Sequence, residues 1–190
     1  PTPDCKKGLE VDPMKKLARL TALLLTGALL LLLASCGAVP GGDGLNARER
    51  DAKTKLLDAI NAYRVNLSRE PITENKVFSE AEEIMLKPFR DTQQTEISGE
   101  LWRSANREAN ALRSPERVKL GCESKNYNTP EIDSSQKAYL GNPLPKDDAE
   151  LDKLIARCGM LDEDCVYIGL SVAEIKGDMY FSFCAFKKVS

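Results

Sequence analysis

The amino-acid sequence predicts an α+β domain in which helices come first and an antiparallel hairpin closes the chain. Between Leu45 and Leu67, apolar residues recur at the helical spacing i, i+4, i+7. Near the C-terminus the period changes to two, because apolar residues alternate with other residues from Val166 to Val172. A second β-prone run, rich in aromatic residues, follows a short turn that contains glycine. Helical segments followed by such a hairpin are typical of α+β proteins.

The first two helices are predicted from an apolar stripe and a capping pattern. The stripe of the first helix, which extends to about Leu67, consists of Leu56, Ile60 and Tyr63. Ser79 and Glu82 have the spacing of a capping box, which predicts that a second, short helix begins there. This helix is expected to end before Pro88, since the residue before a proline avoids helical geometry.

A third helix is predicted from about Leu101 to Leu112, with its end near Pro115. Trp102, the only tryptophan, is expected to anchor the core. Glutamates interleave with the arginines of this segment, which predicts a solvated and self-paired face for Arg103, Arg107, Arg113 and Arg117.

The segment between the third and fourth helices is rich in turn residues. From Gly121 to Pro145, asparagine, proline and glycine predict an irregular connection with little regular structure. Asp147 or Asp148 is expected to cap a fourth helix that stops at Gly159. The hairpin follows and completes the predicted domain of residues 47–190.

An apolar segment of a different kind lies upstream of this domain. Positively charged residues follow Met14, and an apolar run extends from Leu20 to Leu33. This run is shorter than the roughly 20 residues that a membrane-spanning helix needs. Residues 14–35 are therefore predicted to be a secretory signal peptide. Residues 1–13 are interpreted as an upstream extension that does not belong to the mature fold.

The last residues of this segment, Leu33-Ala34-Ser35-Cys36, resemble the lipobox of bacterial lipoproteins. The resemblance implies cleavage before Cys36, transfer of a diacylglyceryl group to its thiol and acylation of its new amine with a chain such as palmitate, so that the membrane is a partner. Two or three chains make such an anchor stable. An ordinary signal peptide is the alternative. Residues 36–46 are expected to form a flexible tether, and Gly37 in place of aspartate favours the outer membrane of a Gram-negative cell envelope.

Composition restricts the chemistry of the mature chain. Residues 1–35 contain five basic and three acidic residues, so 27 basic and 29 acidic residues become 22 and 26, a net charge of −4. This charge disfavours nucleic acid as a partner. With no histidine, Ser-His-Asp and Cys-His sites and histidine-ligated zinc are excluded, and no metal or cofactor is predicted. The acidic runs Glu82-Glu83 and Asp162-Glu163-Asp164 are interpreted as solvated.

The predicted mature chain contains four cysteines besides Cys36, and an even number in an exported domain predicts two disulfides. The first arrangement joins Cys158 to Cys165 and Cys122 to Cys184. The second joins Cys122 to Cys158 and Cys165 to Cys184, across the hairpin. A four-cysteine zinc site is the rival interpretation, although the paired spacing of zinc knuckles is lacking.

Both ends of the predicted domain resemble the CAP superfamily of cysteine-rich secretory, antigen 5 and pathogenesis-related proteins. The similar segments are residues 56–64 (LLDAINAYR), 71–75 (PITEN), 167–173 (YIGLSVA) and 177–183 (GDMYFSF). The resemblance implies an α-β-α sandwich. Many CAP domains hold a divalent metal between two histidines and two acidic residues, and this chain contains no histidine. The resemblance therefore leaves a CAP-like scaffold without the metal site.

Three hypotheses for function follow from the sequence. The first is a lipid-anchored, non-catalytic binding module for an unknown protein or a small apolar ligand. The second is a structural lipoprotein that docks a cell-envelope complex. The third is a hydrolase that uses carboxylates, and it would require two converging carboxyl groups with raised pKa values in a cleft.

Overall fold

The computed structural model describes residues 44–128, 130–133, 135–157 and 164–189 of the chain. These residues belong to one compact unit, Pro40–Ser190. Its helices are α1 (Ala47–Asn66), α2 (Lys76–Thr92), α3 (Gly99–Leu120) and α4 (Asp148–Arg157). Its strands are β1 (Thr73–Glu74), β2 (Glu96–Ser98), β3 (Cys122–Asn128), β4 (Glu131–Ile132), β5 (Lys137–Tyr139), β6 (Cys165–Ile175) and β7 (Asp178–Lys188). The predicted α+β class is confirmed.

The strands form a four-stranded mixed sheet and a smaller sheet. The larger sheet has the order β1-β6-β7-β3, with β1 parallel to β6 and the other pairs antiparallel. Its centre is the predicted hairpin of β6 and β7, in which Leu170 pairs with Phe183 and Ser171 with Ser182. The smaller sheet has the order β2-β5-β4 and is antiparallel.

Side chains of β6 and β7 alternate between the two faces of the larger sheet, so both faces carry apolar residues. Helices cover both faces. One face packs against α1 and α4 through a buried apolar cluster that includes Leu56, Ile60, Leu151, Ile155, Leu170, Val172, Phe181 and Phe183. The other face packs against α2, and α3 packs on α2 through a cluster of Ala81, Met85, Ala105 and Ala109. Trp102 is half-buried at the edge of this cluster, and its Nε1 donates to the carbonyl of Pro130 at 2.7 Å.

The helix boundaries predicted from proline are wrong at two positions. α2 begins with Asn75 as its cap, not Ser79, and it continues through Pro88 to Thr92. α3 likewise continues through Pro115 to Leu120. An internal proline removes one backbone hydrogen bond. The buried side chains on both sides of each proline hold these helices against the core, and they are Leu86, Phe89, Arg113 and Glu116.

The predicted irregular connection from Gly121 to Pro145 is also wrong in part, because it contains β3, β4 and β5. β3 is polar, and it pairs with β7 as an edge strand of the larger sheet. Polar and charged residues are common on edge strands, where they prevent pairing with another chain. The cap of α4 is confirmed, since the Asp147 carboxylate accepts from the Glu150 N–H at 3.1 Å. Gly159 lies outside the described residues.

Candidate functional site

The predicted lipidation and disulfide residues are only partly described by the structure. Cys36 and Cys158 lie outside the described residues, so the lipid site and both pairings of Cys158 have no structural test. Cys122, Cys165 and Cys184 are buried, and Cys122 and Cys184 are free thiols. The predicted pairings Cys122–Cys184 and Cys165–Cys184 are therefore not formed in this structure.

The strand register explains why these three cysteines do not meet. Cys184 lies opposite Gly169, whereas Cys165 lies opposite Lys187 and Cys122 lies opposite Lys188. Three or four strand positions correspond to about 10 to 13 Å, and a disulfide needs Cα atoms within about 7 Å. Burial also raises the pKa of Cys184 to about 11. A protonated thiol is a poor nucleophile and a poor metal ligand.

Two charged clusters lie on the face of the sheet that packs against α2. The first contains a buried ion pair between Glu82 of α2 and Arg113 of α3. The Oε1 atom of Glu82 accepts from Nε and Nη2 of Arg113 at 3.1 and 2.7 Å, and its Oε2 accepts from the Ser182 hydroxyl at 2.6 Å. All three residues are buried. This cluster joins α2, α3 and β7, and it corrects the prediction that Glu82 and Arg113 belong to solvated faces.

The second cluster is organised by the guanidinium of Arg90. Its Nε donates to Glu49 at 2.8 Å, and its Nη2 donates to Glu83 at 2.9 Å and to the Val172 carbonyl at 3.0 Å. Glu83 also accepts from the Ser171 hydroxyl at 2.7 Å. The neighbouring glutamates of α2 thus bond to serines that are paired across the hairpin.

The hydrogen bonds of these clusters favour a structural role. Every carboxylate of the two clusters accepts from a cation, a hydroxyl or a backbone N–H inside the fold. Glu82 and Glu83 bond to different arginines and different serines. Within the described residues, no group of three or more cysteine, aspartate and glutamate side chains is placed to hold a metal ion. We interpret the clusters as structural.

The stability of the domain should depend on pH through Glu82. Burial raises the pKa of this carboxyl, against the opposing effects of Arg113 and Ser182. The folded state then holds the proton more tightly than the unfolded chain, and the contribution of Glu82 falls as the pH rises above the ordinary pKa of glutamate, about 4.3. In urea unfolding between pH 4 and 8, the parent should lose stability with rising pH relative to E82Q.

The matched control for this measurement is E80Q, since Glu80 lies on the same helix with its side chain 40% exposed. The free energy of unfolding of E80Q should change with pH as that of the parent does. The predicted titration would be contradicted if the free energies of unfolding of the parent and E82Q changed in parallel with pH. It would also be contradicted if the parent gained stability relative to E82Q as the pH rises.

A groove of about 320 Å³ lies on the opposite side of the sheet, between α1, the loop that precedes α4 and the tip of the hairpin. Its floor is apolar and consists of Ala52, Leu56, Leu144, Leu151 and Met179. These side chains belong to the core between α1, α4 and the sheet, or pack against it. The backbone N–H of Leu144 donates to the Met179 carbonyl at 2.6 Å, which fixes the loop against the hairpin.

The rim of this groove is mostly basic. It carries Arg48, Lys55 and Lys146, with Asp51 as its acidic member. Each cation also reaches an acidic residue outside the groove lining, and the pairs are Arg48–Glu174, Lys55–Asp148 at 2.8 Å and Lys146–Asp178 at 3.4 Å. The hydrogen bond to Asp148 raises the pKa of Lys55. An apolar floor with a few polar groups at its edge is typical of a ligand site.

A polar cleft of about 330 Å³ lies beside α2 and is lined in part by Lys53, Glu74, Ser79, Glu83 and Ser171. Its polar groups bond to one another or to the fold. Ser79 donates to Glu74 at 2.6 Å, Lys53 pairs with Glu74 at 2.5 Å, and Ser171 donates to Glu83. The groove differs from this cleft in its apolar floor, which makes it the better candidate for a ligand with an apolar part. Sequence reasoning missed it because its lining residues come from four separate parts of the chain.

The described helices include none that is long and apolar enough to cross a bilayer. Comparison of the chain with models of protein families, with curated proteins and with solved structures finds no significant match.

Proposed function

We propose that the chain is a lipid-anchored extracytoplasmic protein whose folded domain binds a ligand without catalysis. The observation that carries this proposal is the lipobox-like Leu33-Ala34-Ser35-Cys36, which the glycine-rich sequence of residues 37–44 follows. Acyl chains on Cys36 would hold the domain close to a membrane of the cell envelope, the outer membrane in a Gram-negative cell.

The CAP-like part of the proposal is supported by the order of the elements. The described fold begins with a helix and ends with a hairpin, and helices cover both faces of the mixed sheet. The sequence contains no histidine, so the metal site of many CAP domains cannot be built from this chain. A non-catalytic role is supported by the two charged clusters, whose carboxylates are engaged inside the fold.

The binding part of the proposal rests on the groove. Its floor offers apolar side chains to a small ligand, and its rim offers cations in exposed ion pairs. The sequence leaves an unknown protein and a small apolar ligand as alternatives, and the apolar floor favours the small ligand.

The alternative is a structural lipoprotein that docks a cell-envelope complex, and two exposed side chains favour it. Val118 and Val189 are 84% and 59% exposed, and the backbone N–H of Val189 donates to the Gly121 carbonyl at 2.8 Å, close to the end of α3. A photoreactive amino acid at position 118 in living cells discriminates the two functions. One discrete cross-linked protein would support the docking function, and its absence would support the binding module.

Lipidation is tested by replacing Cys36 with serine. In cells fed a labelled palmitate analogue, the parent should incorporate the label and C36S should incorporate none, because serine lacks the acceptor thiol. C5S is the matched control, since Cys5 lies upstream of the predicted cleavage site, and it should be labelled like the parent. Equal labelling of C36S, or an unlabelled parent, would contradict the anchor.

A further inference from the structure

We propose that the groove between α1, α4 and the hairpin tip binds a free single-chain amphipathic anion, an alkyl carboxylate. This inference rests on the proposed binding function and names its ligand class. It is carried by the apolar floor and the basic rim of one cavity, which together match an alkyl chain that ends in a negative charge.

The floor determines the apolar part of the ligand. Leu56 and Leu151 are buried at its base, and Leu144 and Met179 are half-buried at its sides. These four side chains present only carbon and sulfur atoms, so an alkyl chain can replace water there without leaving a polar side chain unpaired. A volume of about 320 Å³ is at the small end for ligand pockets. It suits one short chain rather than the two long chains of a phospholipid.

The rim determines the charge of the ligand. Its three cations outnumber its one acidic residue, Asp51. The acidic partners of Lys55 and Lys146 are themselves exposed, with Asp148 83% exposed and Asp178 49% exposed. Exposed ion pairs of this kind contribute little to stability, so a ligand carboxylate can compete for the ammonium groups.

The experiment observes the groove directly in the full-length chain, placed in phosphatidylcholine nanodiscs. The methyl groups of methionine are labelled with ¹³C, and octanoate is added as the probe. Met179 lies in the groove, whereas Met85 is buried between α2 and α3 and serves as an internal control. Octanoate should shift the Met179 resonance saturably and leave the Met85 resonance unchanged.

The charge requirement is tested with a neutral probe and with variants. Octanol should bind about tenfold more weakly than octanoate, because it keeps the chain and loses the charge. The double variant K55A/K146A should weaken octanoate binding by about fivefold or more. K153A is the matched control, because Lys153 lies on α4 and forms an exposed ion pair with Glu150 away from the groove. It should bind octanoate like the parent.

Three outcomes would overturn the proposal. They are a Met179 resonance that does not move with octanoate, equal affinities for octanoate and octanol, and a Met179 shift produced by phosphatidylglycerol nanodiscs alone. The last outcome would assign the groove to the membrane surface. None of these results depends on the palmitate label at Cys36, so failure of the ligand proposal and failure of the anchor are distinguishable.

Discussion

Replacement of Glu82 by alanine is expected to lower the free energy of unfolding by about 3 to 5 kcal/mol, which is the usual cost of breaking a buried ion pair. The variant would leave the guanidinium of Arg113 buried between α2 and α3 with its principal partner gone, and it would remove the acceptor of the Ser182 hydroxyl. Urea unfolding at neutral pH measures this loss, and the slope of the free energy of unfolding against urea concentration should not change.

Two further variants distinguish the loss of the ion pair from a general destabilisation of α2. E80A removes an exposed glutamate of the same helix that pairs with Lys76 at 3.9 Å, and it should cost less than about 0.5 kcal/mol. The double variant E82L/R113M replaces both charges by apolar side chains, and it should recover most of the loss. An E82A protein as stable as E80A, or a double variant no better than E82A, would contradict the role of the pair.

The hairpin and α1 could be predicted because local sequence determines them. In β6 and β7 the predicted alternation places one set of side chains on each face of a buried sheet. The observed register keeps it from Tyr167 onwards, after a bulge between Cys165 and Tyr167 that leaves Val166 unpaired in the ladder. In α1 the apolar stripe fills one side of the core. Both signals are periodic over several turns or strand positions, which makes them insensitive to a single unusual residue.

The ends of α2 and α3 could not be predicted because tertiary packing outweighs proline. A local rule places the helix end before Pro88, but the fully buried Phe89 requires the helix to continue into the next turn. The sheet partner of β3 is equally non-local, since nothing in a polar segment indicates that it will pair with β7. Such pairings depend on residues that are far apart in the sequence.

The charged clusters were missed because adjacent glutamates usually indicate solvent exposure. One available signal is the helical position of Glu82, four residues after Phe78 and three before Met85, on the apolar side of α2. An acidic residue on that side predicts a buried partner. The identity of that partner, Arg113 on α3, depends on how two helices pack and cannot be obtained from either helix alone.

Gly169→Ala is expected to destabilise the domain by about 1 to 3 kcal/mol through overpacking. The new methyl group would lie 2.5 to 2.6 Å from the backbone carbonyl group and the Cβ of Phe78, which is closer than atoms in contact can approach. Phe78 cannot move away easily, because it is buried in the first turn of α2 and its ring stacks on that of Phe186 with the ring centroids 3.8 Å apart. The glycine therefore sets the distance between α2 and the centre of the sheet.

The matched control is Gly141→Ala, because a methyl group there meets no atom within 4 Å. Gly141 needs no left-handed backbone geometry, and its substitution should change the free energy of unfolding by less than about 0.5 kcal/mol. Urea unfolding of the two variants isolates the steric effect from the general effect of replacing glycine by alanine. Equal stabilities of the two variants would mean that α2 moves away from the sheet at no cost, and the close approach of Phe78 to β6 would then not determine the packing of this layer.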